Sequence, residues 1–386
     1  MDQPMDTSGD TGLPLGRLLA LAMAGFLAIM TETLPAGLLP QIGTGLAVSE
    51  AMAGQMVTLY ALGSVLAAIP VVAATRGLRR RPLFMAAVGG LLLFNSLTAL
   101  SGHYGLTLAA RFAAGMAAGV IWGLVAGYAR RMVPPHLQGR ALAAAGVGQP
   151  LALAAGVPLG AWLGSLFDWR GVFWALSALC LLLLVWVRLG VPDYAGQTAH
   201  QRQPVARILR VPGVRPVLLA LFGWMLAHNM LYTFIAPFLV SAGLGQRVDG
   251  VLLLFGLAAI AGIWLTGLLV DRWLRALTVL SLAGQSAVAV LIGVAAWGLS
   301  FGGAPTLLQT ALADAAGEGA DVAQSMLVTV FNLAVASGGV AGGLLLGWRG
   351  ASALPWTLAV LALACLSVVW PASHAGFRPG RRSVAA

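Results

Sequence analysis

Long apolar runs separated by short polar breaks make up almost the whole chain. Each run is close to the 20 or so helical residues that the hydrocarbon core of a bilayer requires. The runs are too long for barrel strands and do not alternate with a period of two, so we predict membrane-spanning helices. The twelve predicted spans are 15–40, 51–74, 82–101, 106–132, 141–166, 172–191, 214–241, 250–270, 274–296, 299–316, 322–347 and 354–370.

The longest polar break follows the sixth span and divides the spans six and six. The predicted organisation is an N-terminal tail (1–14), an N-terminal six-helix bundle (15–191), a central loop (192–213), a C-terminal six-helix bundle (214–370) and a C-terminal tail (371–386).

The two halves show signs of an internal repeat. A spacing of 183 residues relates Gly160 to Gly343 and also Gln149 to Asn332. Internal repeats of this kind are typical of secondary transporters, whose substrate site lies between the two repeats near the middle of the membrane.

Composition and charge support this interpretation. Hydrophobic residues make up 59% of the chain and charged residues 9%, whereas a soluble domain carries about 25% charged residues. All 22 basic residues are arginines. They lie in short loops without a basic helix or an aromatic platform, which argues against nucleic-acid binding.

The distribution of the arginines predicts the orientation. With the N-terminus inside, eighteen arginines are cytoplasmic, Arg170, Arg247 and Arg349 are outside, and Arg111 lies within a span. This asymmetry follows the positive-inside rule and predicts cytoplasmic termini.

Other functional classes find little support in the sequence. Cys180 and Cys365 lie in apolar runs without a Cys or His neighbour, so we expect no disulfide, metal or cofactor. The chain has no HExxH motif and no P-loop, and no loop resembles an ion filter. A membrane-embedded enzyme and a channel are the alternatives. Product turnover would indicate an enzyme, and failure of uphill transport would indicate a channel.

Two ionisable residues lie at membrane depth, where charge is costly and usually marks a pathway or a proton relay. Glu32 and Arg111 both lie roughly 8–12 Å below the same predicted boundary. We predict that Glu32 carries the coupled proton and that Arg111 tunes it. The alternative is a static ion pair, or a Glu32 satisfied by the backbone near Pro35.

Polar residues on spans expected to line a central cavity are the predicted substrate contacts. Hydrogen-bonding groups together with aromatic faces suit a small polar ligand such as a sugar, although interhelical hydrogen bonds are the alternative. Asn95 and Gln285 lie on more peripheral spans and are left out. The predicted contacts are Gln55, Tyr60, Trp122, Gln149, Trp224, His228, Asn229, Gln309 and Asn332.

Opposite charges in two loops on the cytoplasmic side predict a latch between the halves. The loop after span 2 carries Arg76, Arg79, Arg80 and Arg81, and the loop after span 10 carries Asp314, Glu318 and Asp321. We predict ion pairs that favour an outward-facing state. The alternative is that Asp321 only caps a helix and that the arginines only set the topology.

Several stretches resemble signatures of the major facilitator superfamily. Residues 267–275 (GLLVDRWLR) are similar to a cytoplasmic loop motif, and residues 70–81 keep its basic run without the aspartate. Residues 110–115 (ARFAAG) are similar to the motif with a buried arginine, and residues 31–40 (TETLPAGLLP) resemble span 1 of bacterial sugar-efflux permeases. A glycine-proline pattern typical of antiporters completes the set, at Gly148, Gly156, Pro158 and Gly160.

The resemblance, to the drug:proton antiporter-1 family, implies an all-α integral membrane protein of 12 transmembrane helices in two pseudo-symmetric six-helix bundles. It implies proton-coupled efflux of a small molecule such as a sugar, with a multidrug or nucleoside exporter as the alternative. A monomer in a bacterial inner membrane is expected. The residues it implicates in gating are Gly156, Pro158, Gly160, Asp271, Arg272 and Arg275.

Overall fold

The computed structural model describes residues 12–152, 157–198, 204–244, 248–285 and 290–377, and these contain helices and turns but no strand. The helices are α1 (Leu15–Thr33), α2 (Leu39–Leu46), α3 (Glu50–Ala74), α4 (Arg80–Leu100), α5 (Tyr104–Arg131), α6 (Gln138–Gly146), α7 (Gly148–Leu151), α8 (Val157–Gly190), α9 (Val205–Arg210), α10 (Val214–Thr233), α11 (Ile235–Ser241), α12 (Val248–Gln285), α13 (Val290–Ala316), α14 (Ala320–Arg349) and α15 (Leu354–Val369). Eight helices within these ranges are long and apolar enough to cross a membrane.

Predicted span 1 is broken in the structure. Helix α1 ends at Thr33, a 3-10 turn covers Leu34–Gly37, and α2 follows. Pro35 has no N–H, so it cannot bond the carbonyl of Thr31 four residues earlier, and the α-helix stops there. Pro237 has the same effect near the end of predicted span 7, which divides into α10 and α11.

The break between predicted spans 5 and 6 lies inside α8. Asp168 has a positive φ (68°) with ψ at 154°, in the interval that the sequence left between the two spans. Its side-chain oxygen accepts a hydrogen bond from the Trp169 N–H at 2.7 Å. Residues other than glycine rarely adopt this conformation, and it interrupts the helix at this point.

The predicted boundary between spans 8 and 9 differs from the structure. Helix α12 runs from Val248 to Gln285 and passes through the expected break at residues 271–273. That prediction relied on Asp271 and Arg272, and charged side chains do not remove backbone hydrogen bonds as proline does. Residues 286–289, within predicted span 9, lie outside the described residues, and α13 begins before predicted span 10.

Glycines let equivalent helices approach closely in both halves. A Cβ on Gly119 of α5 would meet the backbone carbonyl of Ser64 on α3, and a Cβ on Gly302 of α13 would meet that of Ala259 on α12. The two glycines are 183 residues apart, the spacing already seen in the sequence. The α3–α5 and α12–α13 pairs are therefore matching parts of two similar bundles.

The two bundles contact each other mainly at one end, which we call the arginine-rich end; it holds Arg80, the last turn of α5 and the first turn of α14. Residues 123–129 of α5 and 321–328 of α14 are all buried there. Farther along α14 only one face is buried, at Ala334, Gly338 and Gly342. The halves therefore pack together at the arginine-rich end and diverge toward the opposite end.

Candidate transport site

A cavity lies between the halves and is partly open to solvent. Both bundles contribute polar and aromatic side chains to its wall. From the N-terminal half these are Glu32, Ser64, Trp122 and Gln149, and from the C-terminal half Gln309, Gln324, Phe331 and Asn332.

Local structure places these side chains. Glu32 lies in the last turn of α1, just before the break that Pro35 causes, and Gln149 lies in the single turn α7 between α6 and α8. Trp122 packs against α1, where a Cβ on Gly25 would come within 3.2 Å of its ring. Breaks in spans 1 and 5 thus bring Glu32 and Gln149 to the same cavity.

The carboxamides in the wall are available to a ligand. Gln149, Gln309 and Gln324 form no hydrogen bond within the described part of the chain, although each lines the cavity. Asn332 donates to the carbonyl of Val328 at 2.9 Å, which leaves its oxygen free to accept. Together these groups can donate to and accept from one polar molecule.

Glu32 is half-buried in the cavity wall. Among the described residues its carboxyl group has no hydrogen-bond or ion-pair partner. An ionisable group in this position is in contact with the contents of the cavity.

Arg111 lies next to Glu32, but the two side chains do not form an ion pair in this structure. Its guanidinium is fully buried and donates to the carbonyl of Thr31 and, at 3.4 Å, to that of Met56. It also lies 4.8 Å from the centre of the Tyr60 ring. The Thr31 carbonyl is the one that Pro35 leaves without a helical partner, so Arg111 stabilises the break in span 1.

Tyr60 and Asn95 complete the surroundings of this break. The Tyr60 hydroxyl donates to the carbonyl of Ala28 at 2.7 Å, and the Asn95 amide donates to the Thr31 hydroxyl at 3.0 Å. Asn95 is fully buried, although the sequence interpretation left it out as peripheral. An amide within an otherwise apolar span was the signal that pointed to it. Ser64 and Gln324 in the cavity wall were also missed.

Five predicted substrate contacts lie outside the cavity wall. Tyr60 and Trp224 are buried, Gln55 is exposed, and Asn229 donates to the Met225 carbonyl of its own helix at 2.8 Å. The structure therefore brings only Trp122, Gln149, Gln309 and Asn332 of the predicted set to the cavity.

His228, the fifth of them, belongs to a buried aromatic cluster of the C-terminal half. Its ring stacks on Phe301, with centroids 3.5 Å apart, and Trp297 and Tyr232 each lie 5.3 Å away. The stacking packs α10 against α13.

Ion pairs join the halves at the arginine-rich end. Arg80 pairs with Asp321 at 2.6 Å, and both side chains are buried (2% and 6% exposed). Arg130 of α5 pairs with Asp314 of α13 at 2.8 Å and is more exposed (18% and 32%). We call these two pairs the arginine-rich gate.

The other arginines of the loop after α3 contact their own half. Arg79 pairs with Asp193 of the central loop at 2.6 Å, the Arg81 backbone N–H donates to the same carboxyl at 3.0 Å, and Arg76 donates to the Ala73 carbonyl. Partial burial alone would raise the pKa of Asp193, but the hydrogen bonds and charges of Arg79 and Arg81 hold this pKa below its usual range. The central loop is thereby attached to the N-terminal bundle.

The remaining predicted gating residues are placed only in part. Gly156 lies outside the described residues. Pro158 and Gly160 belong to α8, Asp271, Arg272 and Arg275 to α12, and Glu318 to a 3-10 turn (Gly317–Gly319), but the described part does not include their side chains.

Two similar helical bundles with a polar cavity between them, closed at one end and open toward the other, define a membrane transporter of the alternating-access class. The sequence model of the Major Facilitator Superfamily matches residues 21–318, and the chain belongs to this family. It is a multi-pass membrane transporter with the twelve-helix fold of that family, and not an enzyme.

Two relatives match most of the chain. The chain is 32% identical over 332 residues to the purine ribonucleoside efflux pump NepI of Escherichia coli O157:H7, covering 82% of this chain and 83% of that one. It is 31% identical over 373 residues to a protein of Pseudomonas aeruginosa named transcription regulatory protein OpdE, covering 90% of each.

Solved structures share the fold at low sequence identity. The transporter FucP in the outward conformation superposes with a TM-score of 0.73 at 16% identity, covering 92% of this chain and 97% of that one. The proton:xylose symporter XylE superposes with a TM-score of 0.69 at 15% identity, covering 93% and 95%. These likenesses extend over both bundles.

Proposed function

We propose that this transporter exports a small polar molecule from the bacterial cytoplasm in exchange for protons, acting as a monomer in the inner membrane. The arginine-rich end faces the cytoplasm in this proposal, because basic residues are retained on that side. Both termini are then cytoplasmic, and the structure corresponds to an outward-open state.

We propose a purine nucleoside as the substrate, in place of the sugar that the sequence first suggested. The observation that carries this proposal is the set of unpartnered carboxamides beside Trp122 and Phe331 in one cavity. A carboxamide can bond two adjacent groups on the edge of a purine, and an aromatic ring can stack on its face. The relatedness to a purine ribonucleoside efflux pump points the same way.

Glu32 would couple this export to protons. It shares the cavity with the carboxamides, so protonation and substrate binding affect each other directly. A negative carboxylate costs more free energy than the neutral acid when the cavity closes and excludes water. A proton entering from the open side would therefore accompany the return of the empty transporter to the cytoplasmic side.

The arginine-rich gate would keep the cytoplasmic side closed while the substrate leaves. The buried Arg80–Asp321 pair connects α4 to α14 across the two halves. Opening the cytoplasmic side requires the two charges to separate and to be hydrated. Formation and separation of the Arg80–Asp321 pair would therefore accompany the change between the outward-open and the cytoplasmic-open states.

Transport in proteoliposomes tests the proposal. Protein reconstituted with an imposed pH gradient should move labelled adenosine or inosine uphill, against the proton flux, and an uncoupler should abolish the accumulation. A labelled pentose or hexose serves as the comparison. Movement of the sugar but not of the nucleosides would overturn the substrate, and uphill movement without a pH gradient would overturn the coupling.

A further inference from the structure

The beginning of α14 serves the gate and the cavity at once. Residues 321–328 are buried on every face of the helix. Asp321 forms the gate pair with Arg80, whereas Gln324, Leu327 and Val328 line the cavity. Two turns of one helix therefore contain both the ion pair and the floor of the substrate site.

This part of α14 fits closely against α5 of the other half. A Cβ on Gly127 would collide with the carboxylate of Asp321, and one on Gly123 would lie 2.9 Å from the Ser325 hydroxyl. Such contact leaves little room for α14 to move independently of α5. A small displacement of α14 therefore makes or breaks the gate.

Gln324 is the polar side chain between these two functions. It is 3% exposed, lines the cavity and has no hydrogen-bond partner within the described residues. It follows Asp321 by three residues, about 4.5 Å along the helix axis. Its amide borders the cavity, so a ligand there can form hydrogen bonds with it that no other described residue supplies.

We propose that Gln324 is the substrate contact through which an occupied cavity closes the arginine-rich gate; this rests on the proposed export of a purine nucleoside. A base that bonds Gln324 on one side and Gln149 or Trp122 on the other connects the two halves directly above the gate. This bridge holds α14 against α5 and so stabilises the Arg80–Asp321 pair, which is already formed in this structure. Release of the base toward the open side leaves Gln324 without a partner, as in this structure.

Gln309 provides the matched comparison. It lines the same cavity from α13 and is also unpartnered in the described chain. Its helix carries Asp314 of the more exposed gate pair, whereas Gln324 lies one turn from Asp321 of the buried pair. A more exposed pair contributes less free energy than a buried one. Gln309 should therefore contribute to affinity without controlling the gate.

Distances between spin labels can test this role. Leu78 of the N-terminal half and Leu209 beside the C-terminal half are 55% and 39% exposed, whereas both native cysteines are buried. Labels at Leu78→Cys and Leu209→Cys would report the width of the gate by double electron–electron resonance. An Arg130→Gln background removes the more exposed of the two gate pairs. This should shift the equilibrium toward the open state without removing the buried Arg80–Asp321 pair, so that closure can be observed.

The reference protein is the Arg130→Gln protein with both labels and no further change. Adenosine at saturating concentration should lower its open-to-closed ratio by roughly fivefold or more, as expected for coupled sites. A binding measurement on each variant establishes the saturating concentration. Gln324→Met keeps the side-chain volume, and it should bind adenosine more weakly and show no closure at saturation. Gln309→Met should bind more weakly and still close. Gln324→Asn, which keeps the amide, should recover part of the closure.

Closure retained in saturated Gln324→Met would overturn the inference, as would a reference protein that binds adenosine without closing. A reference protein that binds neither adenosine nor inosine would instead overturn the proposed substrate, and this inference with it. Unfolded Gln324→Met would be recognised by its elution profile, and Gln324→Asn would then decide by keeping or losing closure.

Discussion

At the scale of single residues, the site depends on a missing backbone hydrogen. Pro35 leaves the Thr31 carbonyl without a helical donor, and Arg111 from another helix supplies one. The Arg111 guanidinium therefore bonds the backbone and not Glu32. Glu32 faces the cavity without an ion-pair partner in the described part of the chain. A carboxyl group that is not tied up in an ion pair can respond to the solution that fills the cavity.

Neutralising Glu32 should separate transport from the proton gradient. Glu32→Gln keeps the size and polarity of the side chain but cannot exchange a proton. We expect uphill export of adenosine to fall to the level seen without a pH gradient, while exchange of labelled for unlabelled adenosine continues. Radiolabel flux in proteoliposomes measures both.

The control for this change is Asp168→Asn. Asp168 is an exposed carboxyl group at the break in α8, and asparagine keeps the size of its side chain and the oxygen that accepts the Trp169 N–H. Its export should be unaffected. Full proton-driven export by Glu32→Gln would show that the coupled proton is carried elsewhere.

At the scale of elements, the contact between α5 and α14 relies on missing side chains. Gly119 of α5 faces the Ser64 backbone in its own half, whereas Gly127, two turns later, faces Asp321 of the other half. One row of glycines thus serves both internal packing and the gate.

Adding a methyl group at Gly127 should open the gate. Gly127→Ala places a Cβ against the carboxylate of Asp321, and the backbone must shift to accommodate it. The cytoplasmic side should then be more accessible, which the Leu78–Leu209 label distance would show as a larger open population.

Gly89→Ala on α4 is the comparison, because a Cβ there meets nothing within 4 Å. Replacing a helical glycine by alanine stabilises a helix by about 0.5–1 kcal/mol, so the Tm of this variant should rise slightly. An equal rise for Gly127→Ala, with an unchanged gate distance, would contradict the assignment.

At the scale of the whole molecule, burial distinguishes the ion pairs. Arg79 is 68% exposed and its pair with Asp193 lies within one half, so we expect it to contribute little to the transport cycle. The Arg80–Asp321 pair is buried between the halves. Removing one partner of a buried pair costs about 3–5 kcal/mol, because the other charge is left without compensation.

Exchanging the two charges tests the pair as a gate. Arg80→Asp and Asp321→Arg should each favour the cytoplasmic-open state and slow export. The double exchange should restore much of the closure because the attraction is regained. Label distances and adenosine flux for the four proteins form a double-mutant cycle, and additive effects would show that the two residues act independently.

The sequence by itself determined the membrane bundle, the family and the position of the charges. Runs of apolar residues need lipid or a protein interior, and arginine is costly among them, so apolar spans and charged breaks could be read from local pattern alone. Proline within an apolar run was not used as a break, and the structure divides predicted spans 1 and 7 near Pro35 and Pro237. The predicted break between spans 8 and 9 is absent from the described helix α12, because Asp271 and Arg272 leave its backbone hydrogen bonds intact.

Only the tertiary structure decided which polar residues meet. Tyr60, Trp224 and His228 are residue types that often contact ligands, but here they are buried in the packing. Gln324 and Ser64 line the cavity instead. The direction of a side chain depends on how its helix is rotated about its axis and on the breaks at Pro35 and around α7. Both are set by the packing of all the helices together, so a local stretch of sequence does not reveal them. Arg80 and Asp321, 241 positions apart, meet for the same reason.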